Sequence, residues 1–275
     1  MDNVIEIKNL EVKLKKFILS NINLNIPRGI VLGLIGRNGA GKTTLLKTLT
    51  NIYEPDFGTI LYDGKTMREN ETEIKEKLGI VYDSLYYPTA MKAKMVAKTI
   101  GTFYPDFEMK KWNEFMERFN LNKDCVLASY SKGMQMKFMV AMALARNPEV
   151  LILDEPTAGM DPAARAELME IIQEYMMDDR HTVIFSTHIT SDLDKIADYI
   201  ALISNGNLVM MDDKEKILDT YGMVQVAKDK MTDELKSKII GVKENTFGYV
   251  GLTKEKDAFE NCTRPSIEDI LIYNS

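Results

Sequence analysis

Apolar and polar residues alternate near the start of the chain, at Val4, Ile5 and Ile7 and again at Ile22, Leu24 and Ile26. A period of two turns one face of a segment to a core and the other to water, so the pattern predicts half-buried antiparallel strands. The next run, Ile30-Val31-Leu32-Gly33-Leu34-Ile35, has no polar position, which suits a strand covered on both faces. Gly79 to Tyr82, Val150 to Leu153 and Val183 to Ser186 are further strands of this kind, separated by helical patterns. Buried strands alternating with helices predict an α/β fold on a parallel sheet.

Residues 88–147 break that alternation. They are rich in Lys, Met and Phe, helical in period and without a convincing strand, and predict a helical subdomain inserted into the sheet domain. Met134, Met136, Met139 and Met142 follow helical spacing and are expected in its core. Further on, Tyr199 to Ile203 and Leu208 to Met211 flank Asn205-Gly206, a strong hairpin signal. The motifs end near residue 218. The expected division is therefore a main domain over 1–218, its helical subdomain at about 88–147, and a small mixed extension over 219–275.

Composition narrows the class of function. The 275 residues can bury one large core and an appended piece. A formal net charge of -6 argues against a surface built for nucleic acid, and no such partner is expected. Two cysteines, Cys125 and Cys262, give no disulfide framework and suit a reducing, cytoplasmic home. No run approaches the roughly 18 to 20 apolar residues that cross a bilayer, and Met1-Asp2-Asn3-Val4 lacks the order of a signal peptide. Action at a membrane would then run through a partner.

The chemistry concentrates in three places. Gly36-Arg37-Asn38-Gly39-Ala40-Gly41-Lys42-Thr43-Thr44 fits the G-x-x-x-x-G-K-[ST] phosphate loop, after an apolar strand and before the helix-forming run Leu45 to Thr50. Glycines let backbone N–H groups turn in around a phosphate, and the helix N-terminus adds positive partial charge. Lys42 is placed to reach the β- and γ-phosphates and Thr43 to ligate Mg²⁺. Val150 to Leu153 is an apolar strand that runs into two carboxylates, Asp154 and Glu155. Asp154 suits a water-mediated hold on Mg²⁺, and Glu155 suits polarisation of an attacking water. His188 ends another apolar strand and, beside Asp154, can reach a γ-phosphate oxygen or Glu155; its twin His181 is expected to be structural.

In this order the motifs resemble ABC (ATP-binding cassette) ATPases over residues 1 to about 215. Gly36 to Thr44 is similar to Walker A, Leu151 to Glu155 to Walker B with its glutamate, Ala158-Gly159-Met160-Asp161 to the D-loop, and His188 to the switch histidine. Tyr130-Ser131-Lys132-Gly133-Met134 begins 24 residues before Asp154, where the signature belongs. Ser131 and Gly133 match it; Lys132 and Met134 depart, and Lys132 is expected as an exposed surface lysine.

The resemblance implies a P-loop NTPase ABC cassette: a mixed sheet core, an antiparallel β subdomain and an inserted helical subdomain. It also implies ATP and Mg²⁺ as cofactors and ATP hydrolysis that drives a separately encoded membrane permease, with the cassette peripheral on the inner face of the cell membrane. Two cassettes, here expected as a homodimer, would pack head to tail, so that Ser131 and Gly133 meet the partner's γ-phosphate. The signature variant is similar to those of bacterial exporters of the antibiotic-resistance and lantibiotic-immunity type. Two positions stay open. The adenine-stacking residue is Phe17, or is absent with Leu14 in its place. No glutamine lies between Ile80 and Met134 for the Q-loop, and Asp83 either takes that role towards Mg²⁺ or caps the turn before Ser84. The competing classes are a stand-alone ABC ATPase with a non-transport role and a regulatory module without hydrolysis. Lys42, Asp154, Glu155 and His188 together argue against the latter.

Overall fold

The computed structural model describes residues 2–274. β1 (Asn3–Leu14) and β2 (Phe17–Pro27) pair antiparallel, with Glu6 opposite Asn25 and Ile7 opposite Leu24. Ile5 and Ile7, and Ile22, Leu24 and Ile26, are buried, as the two-residue period requires, and Leu19 is buried beyond a register irregularity. β3 (Val31–Ile35) is buried throughout, and α1 (Lys42–Leu49) follows it across the glycine-rich loop. β4 (Phe57–Tyr62) and β5 (Lys65–Thr66) complete an antiparallel sheet in the order β2-β1-β4-β5. α2 (Met67–Lys77) then leads into β6 (Leu78–Val81).

The next three helices are α3 (Ala93–Gly101), α4 (Met109–Arg118) and α5 (Lys132–Leu144). Trp112, Met116 and Phe138 are buried where these helices meet. Met136, Met139 and Met142 are buried beside them, and Met134 packs partly buried against the same core. β7 (Val150–Asp154) returns the chain to the sheet. α6 (Pro162–Tyr175) starts where Asp161 accepts hydrogen bonds from the N–H groups of Ala163 and Ala164, with Pro162 in the first turn.

β8 (Thr182–Thr187), α7 (Thr190–Ile196), β9 (Tyr199–Ser204), β10 (Asn207–Asp213) and α8 (Lys214–Thr220) finish this part. The central sheet runs β10-β9-β3-β8-β7-β6. Its strands are parallel except β10, which returns antiparallel along β9 through Asn205-Gly206. Among the described residues no helix is long and apolar enough to cross a membrane.

The segment expected as a small mixed extension has more regular structure than its sequence suggests. β11 (Gly222–Val226), α9 (Asp233–Ser237), β12 (Ile240–Asn245), β13 (Gly248–Thr253), β14 (Cys262–Thr263) and α10 (Ile267–Tyr273) follow one another. The strands form a third, antiparallel sheet in the order β12-β13-β11-β14. β12 buries no residue fully, which is why its apolar pattern is faint. Ser266 and Asp269 form a capping box that starts α10. Its Ile267, Ile270 and Leu271 join Leu193, Ile196 and Ala197 of the α7 region in one apolar cluster, so α10 packs on α7.

Gly206 ties three of these parts together. Its N–H donates to the Ala40 carbonyl at 2.9 Å, and its own carbonyl accepts from the Ser20 N–H at 2.7 Å. Its φ is +79°, and a β-carbon there would lie 2.0 Å from the Ile18 carbonyl oxygen. Gly206→Ala is expected to lower stability by about 1–3 kcal/mol through strain and clash. Urea unfolding is the check; a midpoint equal to wild type would show that β2 and the hairpin move apart freely.

Candidate active site

The C-terminal ends of β3, β8 and β7 lie side by side, which brings three functional segments to one edge of the sheet. Between them is a cavity of about 460 Å³ whose lining includes Asn38, Lys42, Thr43, Glu155 and His188. α1 opens from Gly41 with φ +117°, without a side-chain cap and without an acidic residue in its first turn. Its leading N–H groups therefore face the cavity as free donors, unlike those of α5 and α6, whose caps are Ser131 and Asp161. Lys42 is 6% exposed, and its ammonium donates to the Gly36 carbonyl at 2.8 Å and the Arg37 carbonyl at 3.5 Å. It also lies 3.3 Å from Glu155 Oε1.

Asp154 ends β7 with no exposed surface. Ser186 Oγ donates to its Oδ1 at 2.6 Å, while its Oδ2 is buried with no hydrogen-bond partner. Burial pushes the Asp154 carboxyl up; the Ser186 and Thr43 hydroxyls oppose this, and the Asp83 and Glu155 charges add to it. An unpartnered buried oxygen beside the Thr43 hydroxyl fits a ligand position for a hard divalent cation. Among the described residues no three His, Cys, Asp or Glu side chains cluster to hold a metal ion. Such a cation would have to complete its shell with phosphate oxygens and water, as Mg²⁺ does.

Glu155 follows at φ +50°, a left-handed conformation rare for a residue other than glycine or asparagine. Its N–H donates to the Ser186 carbonyl and to Ser186 Oγ, both at 3.1 Å. This turn aims the carboxylate back over the phosphate loop. His188 Nδ1 is 2.6 Å from Glu155 Oε2, and the His188 backbone N–H reaches the same oxygen at 3.3 Å. An ionised carboxylate only accepts, so Nδ1 is the donor in this bond.

Arg37, Gly39, Ala40, Gly41 and Thr44 also line the cavity, and Gly36 contributes its carbonyl from beneath. Asp83 stands at the rim, and both Phe17 and Leu14 form one wall. Ser131 and Gly133 are not brought to this cavity: Ser131 Oγ accepts from the Met134 N–H at the start of α5. Lys132, expected as a plain surface lysine, is exposed but lines the cavity, and a β-carbon at Gly159 would touch its stem at 3.8 Å. His181 is buried on the Tyr175 ring and hydrogen-bonds the Tyr175 carbonyl through Nδ1 at 2.7 Å. Ser186 was missed in the sequence, although a serine ending an apolar strand next to an acidic strand end was a usable signal.

A family model described as ABC transporter matches residues 19–158. The chain belongs to the ABC transporter family. Among its ABC relatives, the lantibiotic transport ATP-binding protein SrtF of Streptococcus pyogenes is 32% identical over 210 residues, 75% of this chain and 90% of that protein. The bacitracin transport ATP-binding protein BcrA of Enterococcus faecalis is 30% identical over 212 residues, 76% of this chain and 69% of that protein. A solved structure of the ATP binding subunit of an ABC transporter shares the fold with a TM-score of 0.72 at 23% identity, covering 78% of this chain and 92% of that one. The mixed sheet, antiparallel sheet and helical insertion are thus those of an ABC cassette, and the chain is an ABC transporter ATP-binding subunit with ATPase activity.

Asp154 sets up a measurable conflict between stability and function. Its folded pKa is raised, so the ionised form weakens the nucleotide-free fold above that pKa, and the penalty fades as pH falls through it towards the unfolded value. Asp154→Asn is expected to raise the melting temperature of the nucleotide-free protein at pH 7.5, by about 2–4 °C for each kcal/mol regained. The gain should shrink as pH is lowered. Calorimetry across pH tests this, and a lower melting temperature at every pH would contradict it.

Proposed function

We propose that this ABC ATPase hydrolyses ATP to drive a separately encoded membrane permease from the cytoplasmic face of the cell membrane, in the direction of export. The hydrolytic reading is carried by one observation: Lys42, Glu155 and His188 form a continuous polar chain across the cavity, with the open oxygen of Asp154 at its base. ATP would lay its β- and γ-phosphates on the α1 N-terminus and draw the Lys42 ammonium to them. Glu155, released from that ion pair and held by His188, then takes a proton from the attacking water. Asp154 and Thr43 would hold Mg²⁺, which supplies charge neutralisation on the phosphates. Phe17, or Leu14 beside it, would cover the adenine.

The export assignment draws on the relatives named for lantibiotic and bacitracin transport. We further propose that the cassette spans 1–218, with its helical subdomain at about 88–147, and that 219–275 is an appended extension. Two copies would pack head to tail, with Ser131 and Gly133 of one facing the nucleotide of the other. A β-carbon at Gly133 would meet nothing within 4 Å, so this position is open to such an approach.

Lys42→Ala is expected to abolish ATPase activity, and turnover near wild type would overturn the site. Glu155→Gln should retain ATP, slow hydrolysis by about 10²–10⁴-fold and accumulate an ATP-bound dimer. Gel filtration with ATP and Mg²⁺ reads this out, and a fully active monomer would contradict the scheme. Asp83, whose charge already acts on Asp154, is assigned to the cation's water shell. Asp83→Ala should raise the Mg²⁺ concentration for half-maximal ATPase activity, and Asp83→Gln should restore part of the loss. Unchanged Mg²⁺ titrations for both would leave Asp83 a turn residue.

A further inference from the structure

Outside the cavity lining, one buried carboxylate joins the segments that carry Glu155 and His188. Asp192 and Thr157 are each 2% exposed. Thr157 Oγ1 donates to Asp192 Oδ2 at 2.8 Å, and Arg165 Nε donates to Asp192 Oδ1 at 2.5 Å. The Arg165 guanidinium also donates to Ser191 Oγ at 2.9 Å. Thr157 lies two residues after Glu155 on the turn leaving β7, Arg165 sits in the first turns of α6, and Asp192 lies four residues after His188 in α7. The parallel pairing of β7 with β8 stops at Asp154 with Ser186, and past it the backbone tie from the Glu155 N–H to the Ser186 carbonyl leaves the turn at Thr157 to be held by side chains.

We propose that Asp192 is a positioning residue for hydrolysis: by gripping Thr157 and Arg165 it sets the separation at which His188 meets Glu155. The inference rests on the hydrolytic role of Glu155 proposed above. Glu155 occupies a left-handed conformation that its own chemistry does not favour, so the residues after it must hold the turn. Within the turn, the Ala158 N–H donates to the Glu155 carbonyl and the Met160 N–H to the Thr157 carbonyl, both at 3.1 Å. The Asp192 N–H donates to the Ile189 carbonyl at 3.2 Å, which ties the carboxylate to the residue next to His188. Displacement of Asp192 therefore reaches both ends of the 2.6 Å contact between Glu155 and His188. Such a contact loses its use over small distances, since misplacement by about 1 Å can cost on the order of 10²-fold in rate.

The experiment measures steady-state ATPase and binding of a fluorescent ATP analogue for Asp192→Ala, Thr157→Val and Thr157→Ser. Thr157→Val keeps the shape of the side chain and removes only its hydroxyl, which guards against loss of folding in the bulkier disruption. Asp192→Ala and Thr157→Val should each lower kcat about tenfold or more while ATP affinity stays near wild type. Thr157→Ser should recover most of the rate. The double variant should be no slower than Asp192→Ala, because both changes break one connection. A merely structural tie predicts lowered melting temperature with normal kcat per nucleotide-binding chain, and that result overturns the proposal; so do losses that multiply. Glu155→Gln in the same assay separates the two levels. If that variant hydrolyses normally, the site reading fails and the inference with it. If it is inactive while both Asp192→Ala and Thr157→Val turn over like wild type, the inference alone fails.

Discussion

β8 lies hydrogen-bonded between β3 and β7, with Ile35 opposite Thr187 and Asp154 opposite Ser186. Neighbouring strands in a sheet are about 4.8 Å apart, and parallel strands release their chains at the same edge. The phosphate loop, the Glu155 turn and the His188 segment therefore start within side-chain reach of one another before any of them has its own conformation. A shift of one residue between β7 and β8 would part the buried Asp154 carboxylate from the Ser186 hydroxyl that bonds it, which opposes slipping of this register.

That arrangement concentrates charge where water is scarce. Lys42, Asp154 and Glu155 are all largely buried, and buried charges are costly unless matched. Lys42 and Glu155 match one another. Burial pushes the Asp154 carboxyl up, and the Ser186 hydroxyl offsets this only in part. A divalent cation would give Asp154 the partner it lacks, and nucleotide phosphates would take over the Lys42 ammonium. Ligand affinity and fold stability are consequently linked quantities here, and the protein with bound nucleotide should unfold later than without it by mass action alone.

Most of the site was legible because its residues occupy fixed offsets from buried strands. The apolar run ending at Ile35 announces the loop after it, and the run ending at Leu153 announces Asp154 and Glu155. His188 could be placed only because Val183 to Ser186 reads as a strand. The ties that cross between segments were not legible. Thr157 and Asp192 are ordinary polar residues in sequence, and their pairing depends on how α7 returns over the β7 turn. Lys132 is exposed, as its sequence suggests, and still lines the cavity, because a long side chain achieves both. The third sheet escaped notice for a different reason. β12 buries no residue fully and two of the buried positions of β13 are glycines, so the apolar pattern is weak; β4 is similar, with Phe57 largely exposed at its start.

The packing of α10 on α7 has a consequence for the order of assembly. α7 sets Leu193 on Gly33 of β3, and α10, which packs on the same helix with Ile267, Ile270 and Leu271, follows the third sheet in the chain. During synthesis the central sheet can form while the outer face of α7 is still bare. Contacts between such distant parts of a chain form slowly, and an uncovered apolar helix is then open to aggregation or to a chaperone. The segment that follows His188 is thus covered in part by the stretch of chain that is synthesised last.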